Sequence, residues 1–264
     1  MKKIIVRADD LGYSCAVNYG IYEATHRGIV NNVSLMVNLP FSEHGWELLK
    51  NEPDTDVGLH VVICAGKPLS DPKLVSSLVQ EDGSFKRSQV YHDALEQGKD
   101  IVDYEDAVRE VEAQYECFVE MTKREPDYLT GHTVLSLNFI RALRDVASEH
   151  QIPYLSFDVE HEVEFQGQKL TPFMEDFSLD YDPVATLAHV LSAADKRPHV
   201  IPELILHPGF LDQFILQHSH LVYPRTLDVE MATSGQAIEM IERHDVQLVR
   251  YSELVDSAKA RRPD

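Results

Sequence analysis

The stretch IIVRADDLGYS, residues 4–14, decides how the chain begins to fold. It holds most of the apolar run KIIVRAD (3–9), which is typical of a buried strand, and it places Asp9 and Asp10 side by side just before Gly12. Adjacent carboxylates repel each other, and neither is buried without a partner. Aspartate also favours the turn that caps a helix, so a helix cap and a bound cation are both open explanations.

The composition predicts a cytoplasmic globular enzyme. The 264 residues are 44% hydrophobic, enough for a large core, and no apolar run approaches the ~20 residues of a membrane span. With 24 basic and 44 acidic residues the net charge is −20, which repels phosphate backbones and anionic lipid, so we expect no nucleic-acid or membrane partner. The start MKKIIVRADD has two lysines but reaches acidic residues too soon for a signal peptide, and three cysteines with no close pair indicate a reducing compartment.

Strand-like and helix-like segments alternate along the chain. The predicted strands are 3–9, 31–38, 56–63, 127–132, 152–158, 202–209 and 246–251. The predicted helices are 16–26, 42–51 with Ser42 as its cap, 104–124, 138–150, 183–194, 232–244 and a last one after residue 251. Three long connections, at 63–102, 159–182 and 210–231, exceed the usual ~2–6 residues and each follows a predicted strand.

This alternation predicts an α/β fold with a parallel sheet. Because the chain shows no internal repeat, linker or low-complexity tract, we expect residues 1–264 to form a single domain. An irregular, TIM-like (β/α) barrel of about seven to eight mostly parallel strands fits this length best. The long connections would then crowd the catalytic face.

Four predicted strands end in residues that can bind metal or carry protons. These are Asp9 and Asp10 on the first strand, and His60, His132 and His207 on three others. The carboxyl ends of barrel strands converge on one mouth, so these side chains would become neighbours. A lone strand histidine is more often a hydrogen-bonded structural residue, and thirteen histidines make some coincidence expected.

One carboxylate and two neutral imidazoles form a familiar three-point metal site with open positions. A cation would also stabilise one of the paired aspartates. Consecutive strand residues point to opposite faces, so Asp9 and Asp10 reach one site only if the backbone bends, and Gly12 permits such a turn.

Other motifs carry weaker signals. His218 and His220 could bind metal but fit a solvated loop better, Glu160–Glu162 is typical of a solvated charge cluster, and Cys64 of core packing. Neither a glycine-rich nucleotide loop nor a Gly-x-Ser-x-Gly elbow is present, so we expect neither a nucleotide cofactor nor a common serine hydrolase.

Several ordered motifs resemble the YdjC/ChbG family of carbohydrate deacetylases, which act on acetylated sugars such as chitooligosaccharides. They are RADDLGYSCAVNYGIYEATHRGIVNNVSLMVNLP (7–40), VGLHVVICAGKPLS (57–70), EDGSF (81–85), LILHPG (204–209) and the region 225–228. The resemblance implies a distorted (β/α) barrel and a hydrolase that removes acetyl groups from N-acetylated sugars, phosphorylated or not. A homodimer is a family-level expectation.

The resemblance also implies residue roles. Asp10, His60 and His132 would hold a divalent cation, magnesium above all, with zinc or another transition metal as the alternative. Asp9 would be the general base and His207 the general acid. Where the family carries Asp-Ser-His-x-His-x-His, this chain has TGHTVLS (130–136), which keeps only the first histidine.

Substrate contacts and rival functions stay open. Arg225 could anchor a substrate group or form a structural ion pair with Asp228, and Tyr13, Phe210 and Trp46 could stack on a sugar or simply pack. The same residue types would also serve a metal-dependent phosphoesterase or a sugar-phosphate-cleaving enzyme. The altered 130–136 motif leaves a sugar-binding protein that has lost activity as a third interpretation.

Overall fold

The first strand already separates two packing environments. In the computed structural model, which describes residues 2–156, 158, 161–174, 178, 180–197 and 199–254, β1 spans Lys2–Leu11. Ile4 and Val6 belong to the large apolar cluster, to which most of the helices contribute side chains, whereas Ile5 belongs to a second cluster. Alternate residues of β1 therefore face the surrounding helices and the inner face of the curled sheet.

The described residues form an eight-stranded sheet. The remaining strands are β2 (Asn32–Leu35), β3 (Asp56–Val61), β4 (Leu129–Gly131), β5 (Val163–Phe165), β6 (Gln168–Phe173), β7 (Ile201–Leu206) and β8 (Val246–Leu248). Their order is β4-β3-β2-β1-β7-β6-β5, with β8 pairing the first residues of β1. Every pair is parallel except the β5–β6 hairpin. The curled sheet with its helices confirms the irregular, TIM-like barrel.

Side-chain caps begin most of the helices. The helices are α1 (Cys15–His26), α2 (Ser42–Leu49), α3 (Ser88–Glu96), α4 (Tyr104–Thr122), α5 (Leu137–Glu149), α6 (Pro183–Lys196), α7 (Gln213–His218), α8 (Tyr223–Ala232) and α9 (Gly235–Arg243). Ser14, Asp103 and Ser136 each accept a backbone N–H in the first turn of α1, α4 and α5. Ser42 is instead the first residue of α2, and its hydroxyl bonds Leu39 O at 2.8 Å, so the predicted cap is wrong.

The strand predicted at 152–158 is wrong. Only an isolated bridge joins Tyr154 to Leu129, flanked by hydrogen bonds from Leu129 N to Pro153 O and from Leu155 N to Leu129 O. The neighbouring strand β4 has three residues, so it offers little backbone for further pairing. Residues 157, 159 and 160 of this region lie outside the described residues.

The three long connections contain regular structure that the sequence did not reveal. The first holds a short 3₁₀ turn at Pro72–Leu74 and α3; the third holds α7 and most of α8. The second holds the β5–β6 hairpin, whose tip is Gln166 and Gly167 with φ of 50° and 78°. Two consecutive positive φ angles are typical of a tight two-residue hairpin turn.

Near its end the described chain forms a 3₁₀ turn at Tyr251–Leu254, and the helix predicted there lies largely outside the described residues. None of the helices that the structure describes is long and apolar enough to cross a membrane.

Candidate active site

A bend at the end of β1 brings both aspartates to the same site. The pairing of β1 with β2 shifts register between Ala8 and Leu11, and Asp10 has a φ of 78°. Gly12 follows with φ 98°, and a Cβ there would lie 2.6 Å from Met36 O. The left-handed backbone at a non-glycine residue is strained, and such strain is typical of functional sites. The bend that the sequence required is therefore present.

Asp10, His60 and His132 form a compact triangle of potential metal ligands. His132 Nδ1 lies 3.2 Å from Asp10 Oδ1 and 3.2 Å from His60 Nε2, and His60 Nε2 lies 3.6 Å from Asp10 Oδ1. Ligand atoms that share one tetrahedral ion at about 2.1 Å lie about 3.4 Å apart. Asp10 and His60 are buried, and His132 is partly exposed. The residues and their spacing fit a divalent cation.

Arg225 orients the carboxylate of this triangle. Its Nη2 donates to Asp10 Oδ2 at 2.6 Å, which leaves Oδ1 facing the two imidazoles. Burial alone would raise the pKa of Asp10, but Arg225 and His132 outweigh it and hold the pKa well below its usual range. The sequence suggested an ion pair of Arg225 with Asp228; the ion pair that the structure places is with Asp10.

Asp9 is held by a different arginine. Arg7 Nη2 donates to Asp9 Oδ2 at 3.1 Å, and Arg7 Nε lies 2.9 Å from Oδ1. Burial acts to raise the pKa of Asp9, and the opposing charge of Arg7 leaves that pKa lowered. Asp9 therefore remains an ionised carboxylate outside the triangle of ligand atoms.

His207 sits at the end of β7 beside both aspartates. Its backbone N–H donates to Asp228 Oδ2 at 2.8 Å, and Asp228 Oδ1 accepts the Tyr181 hydroxyl at 2.6 Å. Burial lowers the pKa of His207 to about 4, against the charges of Asp10 and Asp9. The imidazole is therefore neutral at pH 7.

The aromatic residues singled out in the sequence divide into three kinds. Tyr13 is buried, packs edge-on against Phe214 and donates its hydroxyl to His218 O at 3.1 Å. Phe210 is exposed three residues beyond His207, where a ligand could reach it. Trp46 lies under the guanidinium of Arg124 in a packing role.

Val134 and Ser136, in the segment after His132, have structural roles. Val134 packs in the core, and Ser136 caps α5 while its hydroxyl bonds Asp100 at 2.7 and 2.9 Å. His218 and His220 do not join any cluster of three ligating residues within the part of the chain that the structure describes. Cys64 is partly buried, and burial raises the pKa of its thiol to about 12, with Asp10 adding to the effect.

The sequence analysis did not identify the residues that support Asp9 and His207. Those around Asp9 are Arg7, Glu203 and Tyr251. Those around His207 are Asp228, which accepts its backbone N–H, and Tyr181. A signal for Arg7 was available: in a strand it shares one face with Ile5 and Asp9. The other residues come from distant elements, and only the folded chain brings them to the aspartates and to His207.

Known proteins share both the sequence pattern and the fold. Carbohydrate deacetylase 2 of Listeria innocua is 32% identical over 260 residues, which cover 96% of this chain and 98% of that protein. A carbohydrate deacetylase of Clostridium beijerinckii is 31% identical over 255 residues, covering 96% and 100%. Both are therefore similar to this chain along almost their whole length.

Solved structures extend the comparison. A candidate cellobiose-phosphate cleavage protein of Enterococcus faecalis V583 superposes with a TM-score of 0.81 at 25% identity, covering 96% of this chain and 98% of that one. A peptidoglycan deacetylase of Bacillus subtilis, at 12% identity, 98% and 93% coverage and a TM-score of 0.52, shares the fold.

The fold, the site and these relatives together define an enzyme, a hydrolase that acts on amide bonds. Within that class the chain belongs to the YdjC-like protein family, whose sequence model matches residues 3–243.

Proposed function

We propose that the chain is a metal-dependent carbohydrate N-deacetylase that removes the acetyl group from an N-acetylated sugar of the chitooligosaccharide type. The observation that carries the proposal is the triangle of Asp10, His60 and His132 with the ionised Asp9 beside it. The carbohydrate deacetylases of Listeria and Clostridium support the choice of substrate class.

Asp10, His60 and His132 would hold the cation. When bound, a divalent cation polarises a water molecule and the acetyl carbonyl. Two of the three ligands are imidazoles, which suit zinc and other transition metals better than magnesium, an ion that prefers oxygen ligands. We therefore propose a transition metal such as zinc, although the sequence resemblance alone favours magnesium.

Asp9 would act as the general base. It is ionised and forms an ion pair with Arg7. It is the chain neighbour of Asp10 but is not itself one of the three potential metal ligands. A carboxylate in this position can take the proton of the attacking water.

His207 would deliver the proton that the departing amine needs. Because its pKa of about 4 leaves the imidazole neutral at pH 7, it can donate a proton to nitrogen only after receiving one during the reaction. Until then its single N–H can serve as a hydrogen-bond donor. Asp228 fixes the backbone from which it projects.

The substrate would be an uncharged or phosphorylated small carbohydrate. Phe210, exposed beside the His207 strand end, is placed to contact a sugar ring. Tyr13 is buried and donates its hydroxyl to His218 O, so it would form part of the wall of the substrate site. Arg225 Nη2 is bonded to Asp10, whereas its Nη1 has no hydrogen-bond partner among the described residues. Because Arg225 is only 2% exposed, its proposed role is to orient Asp10.

A second candidate is cleavage of a phosphorylated disaccharide. It is favoured by the structural similarity to the Enterococcus protein, which is described as a candidate for cleaving cellobiose-phosphate. Such a reaction would release a sugar phosphate and no acetate.

The test supplies metal-stripped protein with zinc, magnesium or neither. Acetate release is measured from N,N′-diacetylchitobiose and its 6-phosphate, and sugar release from cellobiose 6-phosphate. Metal-dependent acetate from either chitobiose supports the deacetylase, and the ratio of the two rates shows whether phosphate matters. Sugar phosphate from the cellobiose substrate without acetate from the others would replace the deacetylase with the second candidate.

A further inference from the structure

The guanidinium of Arg7 is held by polar contacts on two sides. One edge faces Asp9, as described above. On the other side, Nη1 donates to Glu203 Oε1 at 2.5 Å and to the Tyr251 hydroxyl at 3.1 Å. The Tyr251 hydroxyl also donates to Glu203 Oε1, which closes a ring of three groups. Arg7, Glu203 and Tyr251 are all buried.

The fold brings this ring together from three distant parts of the chain. Glu203 pairs in register with Ile5, so its side chain lies on the interior face beside Arg7, two residues further along β1. Tyr251 comes from the turn after β8, where its backbone N–H donates to Asn32 Oδ1 at 3.0 Å. Glu203 therefore approaches Arg7 from β7, and Tyr251 from the 3₁₀ turn Tyr251–Leu254.

Tyr251 is locked from its other side as well. Its ring centroid lies 4.5 Å from that of Tyr128 and 5.2 Å from that of Phe165, both buried. A hydroxyl on a ring held in this way has a fixed position. An arginine side chain is long and rotatable, and it keeps one orientation only where several of its N–H groups are held.

We propose that Glu203 and Tyr251 are positioning residues: they fix the plane of the Arg7 guanidinium so that its opposite edge holds Asp9 in the orientation that proton transfer requires. The inference rests on the proposed function, in which Asp9 is the base. Neither residue touches the substrate or the metal ligands; each acts through Arg7.

The grip on Arg7 consists of hydrogen bonds: Glu203 Oε1 accepts one from Arg7 Nη1 and one from the Tyr251 hydroxyl. Burial raises the pKa of Glu203, against the opposing effect of Arg7. A glutamine at this place retains an oxygen acceptor for Arg7 Nη1 and the Tyr251 hydroxyl. The two substitutions of Glu203 therefore separate positioning from mere burial.

The experiment compares Glu203→Ala, Glu203→Gln and Tyr251→Phe with the wild type in the metal-loaded protein, measuring kcat, KM, metal Kd and Tm. Misplacing a catalytic group by about 1 Å costs up to about 100-fold in rate. We expect Glu203→Ala and Tyr251→Phe to lower kcat about 10-fold to 100-fold, with KM and metal Kd within about threefold. Glu203→Gln should stay within about threefold of the wild-type kcat.

Tyr91→Phe is the matched control. It also removes a buried hydroxyl, one that bonds Ile63 O and Leu78 O with no link to Arg7. It should lower Tm without lowering kcat more than about threefold, since its loss leaves Asp9 in place. If Glu203→Ala does not fold, Tyr251→Phe and Glu203→Gln still carry the comparison.

Three results would overturn the inference: a folded Glu203→Ala or Tyr251→Phe protein with wild-type kcat, a parallel loss of metal affinity, or a Glu203→Gln protein as slow as Glu203→Ala. A wild type that releases no acetate rejects the proposed function instead. In that case ¹⁵N relaxation of the Arg7 Nε–H tests the grip directly. Its order parameter should fall in Glu203→Ala and stay unchanged in Tyr91→Phe; an unchanged value in both rejects the grip.

Discussion

Arg225 Nη2 lies 2.6 Å from Asp10 Oδ2, and this ion pair gives the two oxygens of the carboxylate different partners. Oδ2 is committed to a permanent cation, so Oδ1 alone faces His60 and His132. The positive charge also keeps the pKa of Asp10 low despite burial. The carboxylate is therefore ionised, with Oδ1 oriented toward the two imidazoles.

Replacing Arg225 should weaken metal binding before it affects anything else. Partners that orient a metal ligand are typically worth about 10-fold to 100-fold in metal affinity. We expect Arg225→Gln to raise the zinc Kd by about that factor in equilibrium dialysis, because Asp10 loses its fixed orientation. Arg124→Gln, which removes a surface arginine paired with Asp127, should leave the Kd unchanged. Equal affinities in all three proteins would refute an orienting role for Arg225.

Substitutions of Asp9 and of His132 should affect catalysis and metal binding differently. General base catalysis is typically worth ~10²–10⁴-fold, so we expect Asp9→Asn to lower kcat by that range while the metal Kd changes less than about threefold. His132→Ala removes a ligand and should raise the metal Kd first. Both are measured on the same substrate and by the same dialysis. An Asp9→Asn protein with full activity would rule out Asp9 as the base.

Metal should stabilise the folded chain through the triangle. A ligand at 100 times its Kd adds about 2.7 kcal/mol to the free energy of unfolding. We expect zinc to raise the Tm of the stripped wild type, and His132→Ala to abolish that rise. His218→Ala is the matched control: His218 stacks on Phe214 and bonds its carbonyl outside the triangle, so the rise should persist. Loss of the rise in the control alone would place the metal elsewhere.

The proximity of Asp10, His60 and His132 could be predicted from the sequence because it follows from strand topology. Asp10, His60 and His132 each stand at the end of a parallel strand, and β1, β2, β3 and β4 are neighbours in the sheet. Once the strands were found, proximity followed. The barrel and most of its predicted segments follow from the same alternation of apolar runs and helical periodicity.

What the sequence lacked was the support behind those residues. Glu203 and Tyr251 reach Arg7 only through the register of β7 and the turn after β8. The failed strand at 152–158 shows the same limit, since its apolar pattern says nothing about β4 being too short to pair with it. The partner of Arg225 was likewise decided by tertiary approach: Asp10, 215 residues away, and not the nearby Asp228.

Gly20 should link the packing of α1 to the position of His207. A Cβ at Gly20 would lie 2.5 Å from Gly209 Cα, and that backbone is already tied by hydrogen bonds from Gly209 N to Arg225 O and from Phe210 N to Ala16 O. We expect Gly20→Ala to cost about 1–3 kcal/mol in urea unfolding and to lower kcat by displacing the loop after His207.

A second glycine provides the control for this change. Gly235 begins α9, and an added methyl group there would meet nothing within 4 Å, so Gly235→Ala should be neutral or stabilising by up to about 1 kcal/mol and leave kcat unchanged. If Gly20→Ala matched it in stability and rate, the close approach of α1 to the loop would have no functional weight.

Asp228 should make the chain more stable in mild acid than at neutral pH. Burial raises its pKa from 3.8 to about 6, against the opposing effects of the Tyr181 hydroxyl, the His207 N–H and Arg225. The folded chain thus binds this proton more tightly than the unfolded chain does. The resulting stabilisation is complete below about pH 4 and is lost as the pH rises through about 6.

Asp228→Asn cannot ionise and should remove that dependence. A pKa raised by about two corresponds to roughly 3 kcal/mol, so the free energy of unfolding of the wild type should fall by up to that amount relative to the variant between about pH 4 and pH 7.5. Urea unfolding of both proteins at the two pH values measures the difference directly, and the other titrating groups cancel in it. A difference that is constant with pH, or that grows in favour of the wild type, would show that Asp228 is ionised throughout and that its two hydrogen-bond donors outweigh its burial.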